Sequence, residues 1–462
     1  MTRDLAAFAV ANLCVLVAGH GVLRAAGIRP ALGDLPWTLG ISYVAGAAAV
    51  GVLGSALLVA GLALTWWQLV LLCAAVFGAG FGLGRRGGPW RPDRVRTTGW
   101  LRIFPLATAL ALAVLAVDLV VQPVWTDDAW AIWLAKATSI VELGGLDPAF
   151  LSSASVFNAD YPLVVPVLEL VALRFCGLPN ELVPLQAGLV FLAFPAALVG
   201  LLRDRVRPLL LWSVVLAVAV APSLQLQTAS AVADVPLAVF FALAGTAGWR
   251  WVERGENQML WLTGVFAAAA VGTKVEGAAF VGLLFLALAL IAGRRRVLAL
   301  GGCAAAVVAT ALPWELWTRR HGIGDAISDA GGPELGPVGR VPSAGFDLAK
   351  ELADPSAWLA LVALGVIAIV LAFLHRERRA AAYTAFVAVS SLAAVLAAYW
   401  STPLDFDYHV ATSVRRVVTA PILFVAAMTP LLLSRVAVDG ERPLGHAGNG
   451  ELLERSRPAR RP

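Results

Sequence analysis

A chain of 462 residues that is 60% hydrophobic and only 14% charged, with a mean hydropathy of +0.80, excludes an ordinary soluble domain, which is roughly half apolar and a quarter charged. Apolar stretches long enough to span a bilayer, about 20 residues each, recur along it. The net charge of +5 does not imply nucleic acid, because the arginines fall in short runs between apolar segments (Arg85-Arg86, Arg203 to Arg207, Arg294 to Arg296, Arg376 to Arg379), the mark of cytoplasmic loops.

In chain order, Arg3 and Asp4 precede the first apolar run, and no small-residue cleavage site follows it, so an uncleaved first helix is expected rather than a signal peptide. Apolar segments begin near residues 6, 38, 66, 103, 183, 209, 232, 258, 276, 297, 357, 380 and 417. They predict an all-α integral membrane protein, a polytopic bundle of about 11–13 transmembrane helices. Cys14, Cys73, Cys176 and Cys303 have no paired spacing and read as small buried hydrophobes rather than disulfide or metal ligands.

With the basic loops cytoplasmic, the N-terminus lies outside, and the loop from Arg85 to Arg102 lies inside. The span from about Ile103 then delivers residues 123–161 to the outer face. Residues 162–202 hold two apolar stretches split at Gly177-Leu178-Pro179-Asn180. The first, Tyr161 to Cys176, is read as a helix at the outer surface or re-entering, and the second as a true span. The alternation continues with Arg250 to Glu256 inside, Trp317 to Pro355 outside and Ser401 to Arg416 outside. The polar tail from about Val436, rich in Arg, Pro and Gly, is expected to be cytoplasmic and disordered. Every polar cluster that is not a basic loop then falls on the outer face, which suggests one polar cavity opening outward.

The first outer loop carries Asp127 and Asp128 just past a span, where desolvation can turn a carboxylate into a base. Trp130, Trp133, Leu134 and Ala137 follow at helical spacing, with Lys136 and Glu142 pointing elsewhere. That pattern predicts an amphipathic helix on the outer face after the acid pair. In the plainer reading, Asp127 only caps this helix. Asp160-Tyr161-Pro162 opens the next stretch, Asp234 begins a helix, and Thr273-Lys274-Val275-Glu276-Gly277 interrupts two apolar segments. Lys274 and Glu276 at membrane depth are costly unless paired or facing a polar cavity; the alternative is a tight hairpin lodged in headgroups. Arg415 and Arg416 lie outside, against the charge trend, where two guanidinium forks suit a lipid phosphate. His409 has no metal-like partner at helical spacing. No P-loop, nucleophile elbow, dinucleotide fingerprint or zinc signature occurs.

The acid pair Asp127-Asp128, the Tyr161-Pro162-Leu163 helix start, Ala233-Asp234 with Pro236-Leu237, Thr273-Lys274 with Gly277, and a late arginine follow one another in an order that resembles the polytopic glycosyltransferases of the C superfamily. The likeness is to the protein O-mannosyltransferases and lipid A aminoarabinose transferases in particular. It covers residues 100–435 as a transferase-like core, with residues 1–99 a three-span addition and 436–462 the tail. It implies sugar transfer from a polyprenyl-phosphate donor to an acceptor hydroxyl of a glycan, lipid or protein, with inversion, on the outer face of the plasma (inner) membrane. By position, Asp127 would be the general base and Asp128 its helper, orienting the acceptor or holding a divalent cation. Lys274 and Arg415, with Arg416 sharing, would hold the donor phosphate, and loss of Arg415 would slow turnover about 10²–10³-fold. Tyr161, Asp234, Glu276 and His409 would line the cavity. Around Tyr161 the chain reads Asn158-Ala159-Asp160-Tyr161-Pro162, whereas relatives often show His and a double Pro, so no specific contact is carried over there. The rival readings are a transporter or lipid flippase, whose polar groups would continue through the membrane, and an inactive assembly partner with a transferase fold.

Overall fold

The structure is a computed structural model that describes residues 2–29, 34–84, 99–153, 156–178, 181–324 and 335–439. Arg85-Arg86 and most of that basic loop, Pro179-Asn180, the start of the Gly/Pro-rich stretch at Gly331 and the tail from 440 lie outside the described residues.

Among the described residues the chain is helical, with no strand. The helices are α1 (Thr2–Ala25), α2 (Leu35–Val59), α3 (Trp66–Leu83), α4 (Ile103–Val121), α5 (Ala135–Leu143), α6 (Pro148–Leu151) and α7 (Val164–Cys176). Then come α8 (Val183–Leu202), α9 (Pro208–Val220), α10 (Pro222–Ala229), α11 (Asp234–Arg254), α12 (Asn257–Val271), α13 (Val275–Ala292) and α14 (Arg294–His321). The last six are α15 (Arg340–Leu352), α16 (Pro355–Trp358), α17 (Leu361–Leu374), α18 (Arg378–Ser401), α19 (Phe406–Val417) and α20 (Thr419–Asp439). Ten helices are long and apolar enough to cross a membrane, with α19 and α20 forming one of them, and the bent pair α9–α10 makes eleven. Two shorter apolar helices, α12 and α17, add to these. Each of the thirteen apolar segments marked in the sequence is thus the start of a helix or of a bent pair.

The bundle is organised around α11, whose residues from Asp234 to Val252 are all buried. It packs on α8, α12, α13 and α20. The three N-terminal helices pack on one another, and α2 packs in turn on α7, α8, α12 and α14. Glycines permit the closest of these approaches: a Cβ on Gly19 or Gly46 would run into the backbone of the facing helix, the small-residue packing that membrane helices favour. The ends of α7 meet the Gly272 carbonyl through the Val164 N–H, and the Ala63 and Asp4 carbonyls through Arg174 and Cys176, so it runs along helix ends, and other helices cover it. Its residues from Val164 to Leu173 are buried between α1, α2, α5 and α8.

Charge is segregated to two ends. At one end Arg203 pairs with Asp34 at 2.9 Å, and Arg250 reaches Asp204 at 3.2 Å and Glu256 at 3.1 Å. Arg205 adds Glu253 and Glu256, and Arg435 joins Glu253 to Glu377. These are the arginine runs that the charge rule assigns to one side. From Arg250, α11 runs back through some 24 Å of helix to Asp234 at the other end, and between them Thr246 is its only polar side chain.

Candidate functional site

The opposite end of α11 collects charge from four separated segments. Asp234 opens α11, Lys274 stands in extended conformation immediately before α13, and Glu276 lies in the first turn of α13. Arg416 lies in the last turn of α19. The helix that begins at Asp127 supplies the fifth charge, Asp128. They form one chain of ion pairs. Arg416 binds Asp128 and also reaches Asp234 at 3.5 Å. Lys274 Nζ donates to Asp234 at 2.9 Å and contacts Glu276 at 3.0 Å.

Burial sets the chemistry of this chain. Lys274 and Asp234 are each 4% exposed, Arg416 and Glu276 each 25% and Asp128 32%. The inner pair is therefore sealed and the Asp128–Arg416 end is open to solvent. Burial alone would weaken the Lys274 ammonium, but the carboxylates of Asp234 and Glu276 outweigh it and hold its pKa above the usual lysine range. Tyr161 stands beside the chain with its ring 5.6 Å from that of Trp133. Its phenol is pushed up by burial and by the charge of Glu276, against the pull of Lys274. His409 donates to or accepts from Thr402 at 3.0 Å and packs edge-on against Tyr399 at 5.3 Å. The Tyr399 hydroxyl in turn meets Ser413 at 2.8 Å, one turn before Arg416.

Two of the residues singled out in the sequence stand apart. Asp127 is exposed, and its side chain forms no hydrogen bond or ion pair with the described residues. Arg415 points to the other side of α19, where Glu351 at 2.8 Å and Asp354 at 3.2 Å hold it. Trp358 also donates to Glu351, at 3.1 Å. Asp354 is held below the ordinary carboxylate range, chiefly by Ser356 and also by Arg415. Among the described residues no three His, Cys, Asp or Glu side chains gather as a metal site, and Asp128 is engaged by Arg416.

The helix after the acid pair is present, but its buried face differs from the one expected. Ile132, Trp133, Lys136, Ala137 and Ile140 are buried, whereas Trp130 is 58% exposed. The cause is local: residues Ala129–Leu134 are π-helical, so Trp130 and Trp133 no longer share a face. The sequence reading therefore turned Lys136 away from the protein. The spacing Ile132, Lys136, Ile140 held the signal that would have placed it inside.

Comparison with family models, with characterised proteins and with solved structures finds no match.

Proposed function

We propose that this protein is a glycosyltransferase that moves a sugar from a polyprenyl-phosphate-linked donor to an acceptor hydroxyl at the outer face of the membrane. The observation that carries the reading is the convergence of Asp128, Asp234, Lys274, Glu276 and Arg416, from four separated segments, into one ion-pair chain at one end of the bundle. A buried ion pair is often no more stable than well-packed apolar residues in its place, so a sealed Lys–Asp pair joined to a solvent-reaching Arg–Asp pair favours a chemical role. A transporter needs polar groups that continue across the membrane. Along α11 the residues between Asp234 and Arg250 are apolar except Thr246, which favours a site confined to one end.

In this reading the donor phosphate binds at the open end and competes with Asp128 for Arg416. Asp128 is the carboxylate to yield, because Asp234 is the more deeply buried of the two on Arg416. The carboxylate so freed takes the proton of the acceptor hydroxyl. The hydroxyl oxygen bonds to the anomeric carbon from the side opposite the phosphate, and the carbon–oxygen bond to phosphate breaks with its electron pair leaving on the phosphate. Arg416 and Lys274 stabilise that charge as it develops, and the configuration at carbon inverts. Asp127, exposed beside Asp128, is the second candidate for the base.

The test is transfer by the purified protein from a panel of polyprenyl-phosphate sugars, with Asp127→Asn and Asp128→Asn beside wild type. Transfer that collapses in Asp128→Asn supports the assignment, and collapse only in Asp127→Asn moves the base by one residue. No transfer from any donor by folded wild-type protein overturns the reading in favour of a flippase or an inactive assembly partner.

A further inference from the structure

The helix that brings Asp128 to Arg416 also carries a lysine that the ion-pair chain does not use. Lys136 is wholly buried. Its Nζ donates to the backbone carbonyls of Asn158 at 2.9 Å and Tyr161 at 2.8 Å. Between them, Trp314 of α14 donates its indole N–H to the carbonyl of Asp160 at 2.6 Å. Trp133, three residues before Lys136, packs its ring on Tyr161. Asn158 itself sits at φ +47°, a left-handed conformation that non-glycine residues rarely adopt. Asn is among the residues that accept this conformation most readily, and two distant elements, Lys136 and Trp314, bond to the turn it makes.

The π-helical stretch explains how one helix serves both ends. Within it the amide of Ala135 bonds to the carbonyl of Trp130, five residues back. In a uniform α-helix, residues 128 and 136 would lie roughly 80° apart around the axis. A one-residue π insertion rotates the second half back by about 100°, which leaves Asp128 and Lys136 within roughly 20° of one face. Such insertions recur at functional sites.

We propose that Lys136 is a positioning residue: it locks the Asn158–Tyr161 turn so that Tyr161 stands against the charged chain, and the π-helical stretch aligns it with Asp128. The turn and the acid that meets Arg416 are thereby one rigid unit. Its consequence for turnover rests on the transferase reading, while the clamp itself does not.

The test uses full-length protein in nanodiscs, with Lys136→Met and Trp314→Phe, which removes the indole donor together with part of the buried ring that lies 6.0 Å from Lys136 Nζ. Hydrogen exchange reads the clamp, and transfer kinetics read its use. Lys136→Met is expected to raise exchange over residues 157–163 at least tenfold while amides of α11 and α13 stay protected. Trp314→Phe should shift the same segment less. The kcat of both variants should fall, with the KM for donor nearly unchanged, because the unit that carries the proposed base Asp128 loosens while Lys274 and Arg416 stay in place. Unchanged exchange in both variants overturns the proposal, and so does raised exchange with an unaltered kcat. If Lys136→Met does not fold, Trp314→Phe decides alone. If wild type transfers nothing, the transferase reading falls, and the exchange result still decides whether the clamp exists.

Discussion

Replacing Lys274 by Met removes the centre of the ion-pair chain and strands its best-buried acid. Lys274 meets Asp234 at 2.9 Å and Glu276 at 3.0 Å, and both Lys274 and Asp234 are only 4% exposed. At an effective dielectric constant of about 20, one such contact is a gross attraction of about 6 kcal/mol, most of it offset by the cost of desolvating the two charges. What is lost on truncation is that compensation: Asp234 is left with Arg416 at 3.5 Å alone, whereas Glu276 can turn to water. Breaking a buried pair from one side costs about 3–5 kcal/mol, and Lys274→Met should fall in that range. Adding Asp234→Asn removes the stranded charge, so the double variant should be more stable than the sum of the singles by about 2 kcal/mol. Equilibrium unfolding in mixed micelles, followed by tryptophan fluorescence at fixed pH, measures all four corners of the cycle. A cost below about 1 kcal/mol for Lys274→Met, or simple additivity in the double variant, would refute the argument that this pair is sealed and mutually dependent.

Three further outcomes follow from the same geometry. On the transferase reading, Arg416→Ala should lower the rate of transfer about 10²–10³-fold, whereas Arg415→Ala should leave it near wild type, since Arg415 is held by Glu351 and Asp354 away from the ion-pair chain; equal losses in the two variants would sink the distinction. Glu169, buried in α7 with neither carboxylate oxygen hydrogen-bonded, should be replaceable by Leu with a gain of about 1–3 kcal/mol, and a loss of stability on unfolding measurements would mean that the carboxyl is used. Lys136 is pushed down from 10.5 to about 7 by burial, against the raising effect of Asp160. Between about pH 7 and 10.5 the folded protein has therefore already lost this proton while the unfolded chain still holds it. Stability gains up to about 1.4 kcal/mol per pH unit from this group across that window, and Lys136→Met should lose that slope; parallel pH profiles of wild type and variant would contradict it.

The fold was largely legible because hydrophobic length is a local signal: a run of about 20 apolar residues needs no knowledge of its neighbours to be read as a span. All thirteen segments proved helical, including Asn257–Val271 and Leu361–Leu374, which are short for a crossing. The stretch Val164–Cys176 was harder, because its apolar content suits a surface helix and an inserted one equally. Its place between α1, α2, α5 and α8 depends on tertiary partners that no window of sequence contains. At the far end the acids Asp204, Glu253 and Glu256 lie within or beside the arginine runs, but which arginine each one meets, and the part played by the distant Asp34 and Glu377, depends on contacts between separate segments.

The site shows where reading by position runs out. Asp127-Asp128 and Arg415-Arg416 are adjacent pairs, and adjacent residues on a helix point about 100° apart. Order along the chain marks both members of each pair and cannot choose between them. What the members of each pair meet differs: the second acid and the second arginine meet one another, while Arg415 meets Glu351 on α15 and Asp127 is exposed, and that difference is the ground for preferring Asp128 and Arg416 in the proposed reaction. The same limit misplaced Lys136. A face counted at uniform α-helical spacing from Trp130 loses its register through Ala129–Leu134, where one added residue turns everything after it. A run of charged residues thus marks a polar segment to within a turn, and the rotation of that turn, which decides which side chain meets which partner, is set by packing from elsewhere in the bundle.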